Sequence, residues 1–122
     1  MNSESKSIVV YGSGGHAKVI LDIIEKSGQY LVQGLIDDDD SKHGASVFGY
    51  PILGGREILF RDWISSSVVI GIGDNSQRLT IAQMLKEKGV SLPSAVHPGA
   101  RIAKGVSIGE GAVIMAGAVL NS

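Results

Sequence analysis

Cysteine is absent from the 122-residue sequence, which excludes a disulfide framework and a thiol nucleophile. Aromatic residues are scarce at 5%, so the core must be built from valine, isoleucine, leucine and alanine. No apolar run is long enough to span a membrane, and residues 1–6 do not resemble a signal peptide. The net charge of −1 lacks the basic surplus that nonspecific nucleic-acid binding needs. These absences predict a soluble, cytoplasmic protein without a nucleic-acid or membrane partner.

Glycine, by contrast, is abundant, with 17 residues or about twice the usual share. Several of them lie in residues 11–17, Tyr-Gly-Ser-Gly-Gly-His-Ala, between an apolar run and a helical pattern. A strand, a glycine turn and a helix in this order are typical of phosphate-binding sites. Glycines let the backbone approach a ligand, and the first helical turn offers unpaired N–H groups and partial positive charge. The stretch therefore predicts an anion site that needs no lysine.

The same stretch is a loose match to the dinucleotide fingerprint G-x-G-x-x-A, through Gly12, Gly14 and Ala17. Asp37 follows a second apolar run, 20 residues after Ala17, where an acid that binds ribose would lie. The alternative is an ordinary strand-to-helix turn. Context and motif together favour a nucleotide site, although the loop alone does not specify the nucleotide.

Apolar runs at residues 7–11, 31–36 and 67–72 predict buried strands, because a strand covered on both faces is apolar throughout. Helical spacing at residues 16–27 completes a βαβ unit with parallel strands and a right-handed crossover. The remaining predicted elements are a loop at 41–50, a short strand at 50–55, a short helix at 56–64 with Ile58, Leu59 and Trp63 buried, and a second long helix at 77–88 with Leu79, Ile81, Ala82 and Leu85 as its apolar positions.

Two further loops follow predicted strands, at the sheet edge where ligands collect in α/β folds. Of four consecutive aspartates, Asp37 and Asp38 are predicted to contact a ligand, whereas Asp39 and Asp40 form a solvated turn. In the second loop, Gly73 allows a ligand to approach the backbone closely.

The helix after that second loop begins with polar residues. Asp74 or Asn75 is predicted to cap it by accepting its free N–H groups. Arg78, in the first turn, can pair with Asp74 or face a phosphate, and the pair with Asp74 is the favoured interpretation.

From residue 96 onward the sequence keeps a six-residue period, which explains more of the glycine excess. Such a period is typical of hexapeptide β-helix coils, in which each repeat is a short strand and a turn. The segment supplies about a coil and a half, so we expect the sequence to stop inside a domain or other chains to cover it. The large aliphatic column is Val96, Ile102, Ile108, Ile114 and Leu120, the small column is Ala100, Val106, Ala112 and Ala118, and the glycine column is Gly99, Gly105, Gly111 and Gly117.

Taken together, these motifs resemble the sugar acyltransferases of the sialic acid O-acetyltransferase type, which include bacterial enzymes acting on nucleotide-linked amino sugars. The resemblance covers the chain from residue 8 onward. It rests on Gly14-Gly15-His16 after the first strand, Asp37-Asp38 after the second, Ile72-Gly73-Asp74-Asn75 with Arg78, Val96-His97-Pro98, and the repeats.

The resemblance implies an α/β architecture: a Rossmann-like domain with a parallel sheet at residues 1–94, and the start of a left-handed parallel β-helix at 95–122. It implies that the first domain binds a nucleotide-sugar, UDP-linked in many members, and that acetyl-CoA binds between the β-helices of a homotrimer. The substrate-binding residues it implies are Gly14, Gly15, His16, Asp37, Asp38 and Gly73.

The resemblance also implies a general base that this sequence lacks, a histidine in a later β-helix coil with acidic neighbours. His97 matches the family's entry to the β-helix, and His43 lies in a variable loop. We therefore expect no catalytic residue, most of the acetyl-CoA site outside this chain, and no acetyl transfer by the 122 residues alone.

Two other functions remain open from the residues. One is an NAD-binding oxidoreductase domain, favoured by the fingerprint and Asp37 but not by the repeats. The other is a non-catalytic module or fragment that binds a nucleotide-sugar. The sequence specifies neither the sugar nor whether an amine or a hydroxyl accepts the acyl group.

Overall fold

The central element of the fold is a five-stranded sheet, seen in a computed structural model that describes residues 6–96, 101–102, 113–114 and 119–120. Its strands are β1 (Lys6–Tyr11), β2 (Tyr30–Ile36), β3 (Ser46–Val47), β4 (Tyr50–Gly54) and β5 (Ser67–Ile70), in the spatial order β3-β4-β2-β1-β5. All neighbours are parallel except β3 and β4, which are antiparallel. The predicted α/β class and parallel sheet are confirmed.

The described residues contain three α-helices: α1 (Gly15–Ser27) joins β1 to β2, α2 (Arg56–Asp62) joins β4 to β5, and α3 (Asn75–Glu87) follows β5. Helix α1 ends as predicted, because Gly28 adopts the left-handed conformation at φ 67° and its N–H donates to the Ile24 carbonyl. Helix α3 begins as predicted, because the Asp74 carboxylate accepts the N–H of Gln77 at 2.9 Å. Local sequence signals therefore predict where α1 ends and where α3 begins.

The sheet is covered on both faces, which explains why its central strands are apolar throughout. Ile8 and Val10 of β1 lie in one core cluster with the apolar side of α1, including Ile20 and Ile24. Val9 and Tyr11, which alternate with them, lie in a second cluster with residues from α2 and α3. Alternation along one strand thus sends side chains into two separate cores.

One predicted core position is wrong, because Leu79 of α3 is 72% exposed. Ile81 and Leu85, four residues apart, form the buried face of this helix. Leu79 lies two positions before Ile81, about 200° around the helix, so it is not on the buried face.

The loop predicted at residues 41–50 contains the short strand β3, which pairs with β4 in a hairpin. A two-residue turn joins them, with φ of 51° at Phe48 and 84° at Gly49. Positive φ at both central positions is the type I′ pattern that suits the twist of a hairpin. Phenylalanine is an uncommon residue in that conformation, which is why the turn gives no sequence signal. A single 3₁₀ turn at Asp40–Lys42 precedes the hairpin.

Among the described residues after the sheet there are four short strands: β6 (Ala95–Val96), β7 (Arg101–Ile102), β8 (Val113–Ile114) and β9 (Val119–Leu120). Strand β6 pairs in parallel with β8, and β7 with β9. In both pairs each residue faces the residue 18 positions later, for example Ala95 with Val113. The other repeat positions, and His97, lie outside the described residues. Within the described residues no helix is both long and apolar enough to cross a membrane.

Candidate functional site

A cavity of about 580 Å³ opens at the carboxyl ends of the parallel strands. The chain moves from β1 to one side for β2 and β4, and returns to the other side for β5. The cavity therefore lies at the topological switch point, where ligands bind in open α/β sheets. All six predicted substrate-binding residues line it: Gly14, Gly15, His16, Asp37, Asp38 and Gly73.

The glycines of the first loop differ in how much space surrounds them, and so in why a side chain is absent there. Gly12 has φ 114°, and a Cβ there would lie 2.7 Å from the Gly71 carbonyl oxygen and 2.9 Å from the Ile72 side chain. A Cβ on Gly14 or Gly15 would meet no protein atom within 4 Å. The packing of the two loops requires Gly12, whereas the open space beside Gly14 and Gly15 belongs to the cavity.

The amino terminus of α1 has no side-chain cap, because its N-cap residue is Gly14. Its first turn contains no acidic residue either. Helix α3 differs, since Asp74 already occupies its first-turn N–H groups. The unsatisfied N–H groups and the positive end of the helix dipole at α1 are suited to an anion.

His16 lies in the same turn and also lines the cavity. Its Nε2 is buried and has no hydrogen-bond partner among the described residues. Buried polar atoms in native proteins are nearly always paired, so the unpaired Nε2 calls for a partner outside the described residues or an ordered water.

Asp37 is held against the glycine loop by short-range contacts. The Ser13 hydroxyl donates to its Oδ2, and the backbone N–H of Asp39 donates to its Oδ1 at 2.9 Å. Lys42 Nζ lies 3.9 Å from Oδ2, and only 15% of the carboxylate side chain is exposed. Two of its roughly four acceptor positions remain for a ligand.

Asp38, the next residue, is bound much more completely. Arg56 donates to it from Nη2 at 2.8 Å, from Nε at 3.2 Å and from its backbone N–H at 3.3 Å. The Tyr11 hydroxyl donates a further bond at 2.7 Å. The hydrogen bonds from Arg56, more than the one from Tyr11, hold the pKa of the Asp38 carboxyl below its usual range, against the effect of burial.

The contacts among Tyr11, Asp38 and Arg56 also change the pKa values of Tyr11 and Arg56. Burial, and next the hydrogen bond to Asp38, raises the pKa of the Tyr11 phenol. The hydrogen bond to Asp38 raises the pKa of the Arg56 guanidinium. Tyr11 therefore stays a neutral donor and Arg56 a cation across the physiological range.

Sequence reasoning missed Tyr11 and Arg56, and it missed the polar side of α3 that faces the cavity. Arg56 follows Gly54-Gly55 after a strand, which is the strand–glycine–helix pattern of the first loop and a usable signal. The α3 residues are spaced at helical intervals on one side of the helix and give no signal without the fold. They are Ser76, Gln77 and Thr80.

The favoured pair of Arg78 with Asp74 is wrong. Within the described residues no ion pair joins the two side chains, and only the Arg78 backbone N–H bonds to the Asp74 carbonyl. The Asp74 carboxylate is occupied as the cap of α3, bonded to Gln77. The Arg78 side chain lines a different hollow beside Leu79, on the side of α3 away from the cavity, so it does not face the predicted phosphate position.

Most of the chain is similar to known proteins. Residues 7–85 match the PglD N-terminal domain. The chain belongs to the PglD N-terminal domain family. It is 31% identical over 115 residues to UDP-N-acetylbacillosamine N-acetyltransferase of Bacillus subtilis strain 168, an alignment that covers 91% of this chain and 52% of that enzyme.

Two solved structures with the same fold contain CoA or acetyl-CoA, and one of them also contains a nucleotide-sugar. PerB of Caulobacter crescentus, in complex with CoA and GDP-perosamine, superposes with a TM-score of 0.84 at 33% identity, covering 95% of this chain and 54% of that one. The acetyltransferase domain of PglB from Neisseria gonorrhoeae, in complex with acetyl coenzyme A, superposes with a TM-score of 0.81 at 31% identity. This match covers 95% of this chain and 56% of that one. The resemblance to sugar acetyltransferases is confirmed, and the chain spans about half the length of these relatives.

Proposed function

We propose that this PglD N-terminal domain binds the nucleotide-sugar substrate of an acetyl-CoA-dependent sugar N-acetyltransferase. The observation that carries the proposal is the cavity at the switch point, where an uncapped helix terminus and two open glycines face the same space. The named relatives support both halves of the reaction, since one binds GDP-perosamine with CoA and another is named for a UDP-sugar.

In this proposal the diphosphate of the nucleotide-sugar lies on the first turn of α1. The N–H groups at Gly14 and Gly15 bind its oxygens, since no side chain intervenes there. Asp37 accepts hydrogen bonds from the ribose or base through its remaining acceptor positions. His16 and Gly73, which line the same cavity, contact the same ligand.

The acetyl transfer itself is a direct attack. The sugar amine attacks the thioester carbonyl of acetyl-CoA, a neutral histidine accepts the amine proton, and the CoA thiolate leaves and is protonated. No histidine of this chain fills that role in the proposal. His16 belongs to the nucleotide cavity, and His43 bonds through Nε2 to the Asp37 carbonyl at 2.8 Å. We therefore predict that the 122 residues alone release no CoA from acetyl-CoA and an amino sugar.

We further propose that residues 1–94 form the nucleotide-sugar domain and that residues 95–122 begin a left-handed β-helix. The six-residue period and the parallel pairs in an 18-residue register support this, because three hexapeptides make one coil. A homotrimer that binds acetyl-CoA between its β-helices, located in the cytoplasm, completes the proposal.

Calorimetric titration of the chain with a UDP- or GDP-linked amino sugar, with NAD and with acetyl-CoA tests the function. We expect saturable binding of the nucleotide-sugar and none of NAD. Binding of NAD in preference to both nucleotide-sugars would replace the proposal with the oxidoreductase alternative. The same titration with the sugar alone, without its nucleotide, is the control, because the diphosphate is the part that the α1 terminus is suited to bind.

A further inference from the structure

The guanidinium of Arg56 is fixed at the rim of the cavity with part of its donor capacity unused. Of its five N–H groups, one on Nε and one on Nη2 bond to Asp38, and one on Nη1 points to the Met84 sulfur at 3.0 Å. The Tyr11 hydroxyl also interacts with the guanidinium, which leaves at least one N–H group without a partner among the described residues. The side chain is 44% exposed and lines the cavity, so this remaining donor capacity is accessible to a ligand.

Asp38 holds that guanidinium and has little capacity for anything else. Its Oδ1 accepts two bonds from Arg56, and its Oδ2 accepts one from Arg56 and one from Tyr11. These four bonds fill the roughly four acceptor positions of a carboxylate. Tyr11 is 1% exposed in the core, so its hydroxyl is a rigid anchor for Asp38. Asp38 and Tyr11 are thus positioning residues, whereas Asp37 keeps free acceptor positions.

The order of groups along the cavity matches the order of groups in a nucleotide-sugar. Following the sheet from β4 to β5, the lining residues are Arg56, then Asp37, then Gly14 and Gly15, then Gly73. A nucleotide-sugar runs from base to ribose to diphosphate to sugar. With the diphosphate at the α1 terminus and the ribose at Asp37, the base reaches Arg56.

We infer that Arg56, oriented by Asp38 and Tyr11, recognises the exocyclic oxygen that uracil carries at position 4 and guanine at position 6, and so selects these keto bases over cytosine and adenine. This inference rests on the proposed function and adds the base to it. Guanidinium groups only donate hydrogen bonds. Uracil and guanine present an acceptor oxygen where cytosine and adenine present an amino group. The chain therefore prefers UDP to CDP and GDP to ADP.

The test is calorimetric titration with these four nucleoside diphosphates, whose phosphates and ribose are identical. We expect at least one keto nucleotide to bind about tenfold more tightly than its amino counterpart, the effect of one hydrogen bond from a charged donor. Arg56→Ala is expected to remove this preference, because the keto nucleotide loses more affinity than its amino counterpart. Arg56→Lys, which keeps the charge but loses the fork that Asp38 binds, also removes it.

Tyr11→Phe tests the positioning role, because it keeps the buried ring and the Asp38–Arg56 contact. We expect it to lower the ratio of keto to amino affinity, a quantity that loss of stability alone does not change. An equal loss for all four nucleotides in Arg56→Ala would overturn the inference and place Arg56 on the diphosphate. A folded wild-type chain that binds nucleotides without base preference would also overturn it. Absence of any nucleotide binding would refute the proposed function itself.

Discussion

Adjacent acidic residues at the end of β2 differ in how fully their oxygens are used. Asp38 accepts four hydrogen bonds from Arg56 and Tyr11, whereas Asp37 accepts two and approaches Lys42. The difference arises from alternation along the chain, which turns one carboxylate toward the glycine loop and the other toward α2. A pair of acids that looks uniform in sequence thus divides into one carboxylate with unused acceptor positions and one whose acceptor positions are filled.

The glycine loop gives a matched pair of substitutions. Gly12→Ala should destabilise the fold by roughly 1–3 kcal/mol, because it combines a left-handed φ with overlap onto the Gly71 carbonyl. Gly14→Val should change stability by about 1 kcal/mol or less, because its side chain extends into open space. Urea unfolding measures both values.

The same two variants separate folding from binding. Gly14→Val should lower nucleotide-sugar affinity at least tenfold, since its side chain occupies the position proposed for the diphosphate. Titration of the folded Gly14→Val protein checks this. Equal affinity for the wild type and this variant would remove the loop from the site.

The lowered pKa of Asp38 should make the free energy of unfolding depend on pH in the acidic range. Its pKa is lowered in the folded chain by the hydrogen bonds from Arg56, so its contribution is complete above its ordinary value of 3.8. The contribution is lost as the pH falls below that value toward the folded-state pKa. Because the side chain is 40% exposed, solvent screening keeps the effect small.

Urea unfolding of wild type and Asp38→Asn, each at pH 7 and pH 3, measures this contribution. We expect the wild type to lose more stability between the two pH values than the variant does. An identical loss in both proteins would show that the pair with Arg56 contributes nothing to the acid response. Asp40→Asn, at an exposed position in the same loop, is the control and should behave as the wild type.

Among the secondary structure elements, α1 and α3 begin in similar surroundings but end up with different roles. Both follow a glycine-containing loop at the carboxyl end of a strand. Helix α3 is capped by the Asp74 carboxylate, which accepts the Gln77 N–H, whereas α1 follows Gly14, which has no side chain to cap its N–H groups. The capped helix instead contributes side chains to the cavity wall. The free terminus is therefore the part of the site that backbone geometry supplies.

Helix α3 also allows a buried and an exposed leucine to be compared for their effect on stability. Leu85 is 0% exposed and Leu79 is 72% exposed, and both lie within the helix. Leu85→Ala should cost about 2–5 kcal/mol, the range for a buried leucine. Leu79→Ala should change the free energy of unfolding by no more than about 0.5 kcal/mol. Thermal or urea unfolding measures both, and equal costs would contradict the assignment of the buried face.

These elements also mark how far sequence reasoning extends here. The strands and long helices were predictable because apolar period and capping residues are local signals, as with Gly28 and Asp74. The β3–β4 hairpin was missed because Phe48 adopts a conformation that its residue type does not suggest. The Tyr11–Asp38–Arg56 cluster was missed because it joins residues 27 and 18 positions apart. The six cavity residues were predictable because strand ends gather at one edge of a parallel sheet.

At the scale of the whole molecule, the described parts combine two kinds of parallel strand. The first sheet is covered by helices on both faces and carries the cavity. The later strands pair at an 18-residue interval, in two-stranded sheets within the described residues. Strand edges without neighbours are templates for pairing with other chains. A repeat segment also buries its core only by stacking on further repeats.

We therefore predict that the chain associates through its repeat segment. Each residue of the aliphatic column gains about 1.5–3 kcal/mol when buried, and neighbouring copies of the segment offer the surface that burial needs. Ile108→Asp places a charge in this column and should give a monomer, whereas Leu79→Asp, on the exposed side of α3, should not. Light scattering across a concentration series measures the mass of all three proteins. A monomeric wild type would refute the association. If a monomeric wild-type chain also resisted proteolysis beyond residue 96, the repeat segment would have to fold without contacts to other copies of the chain.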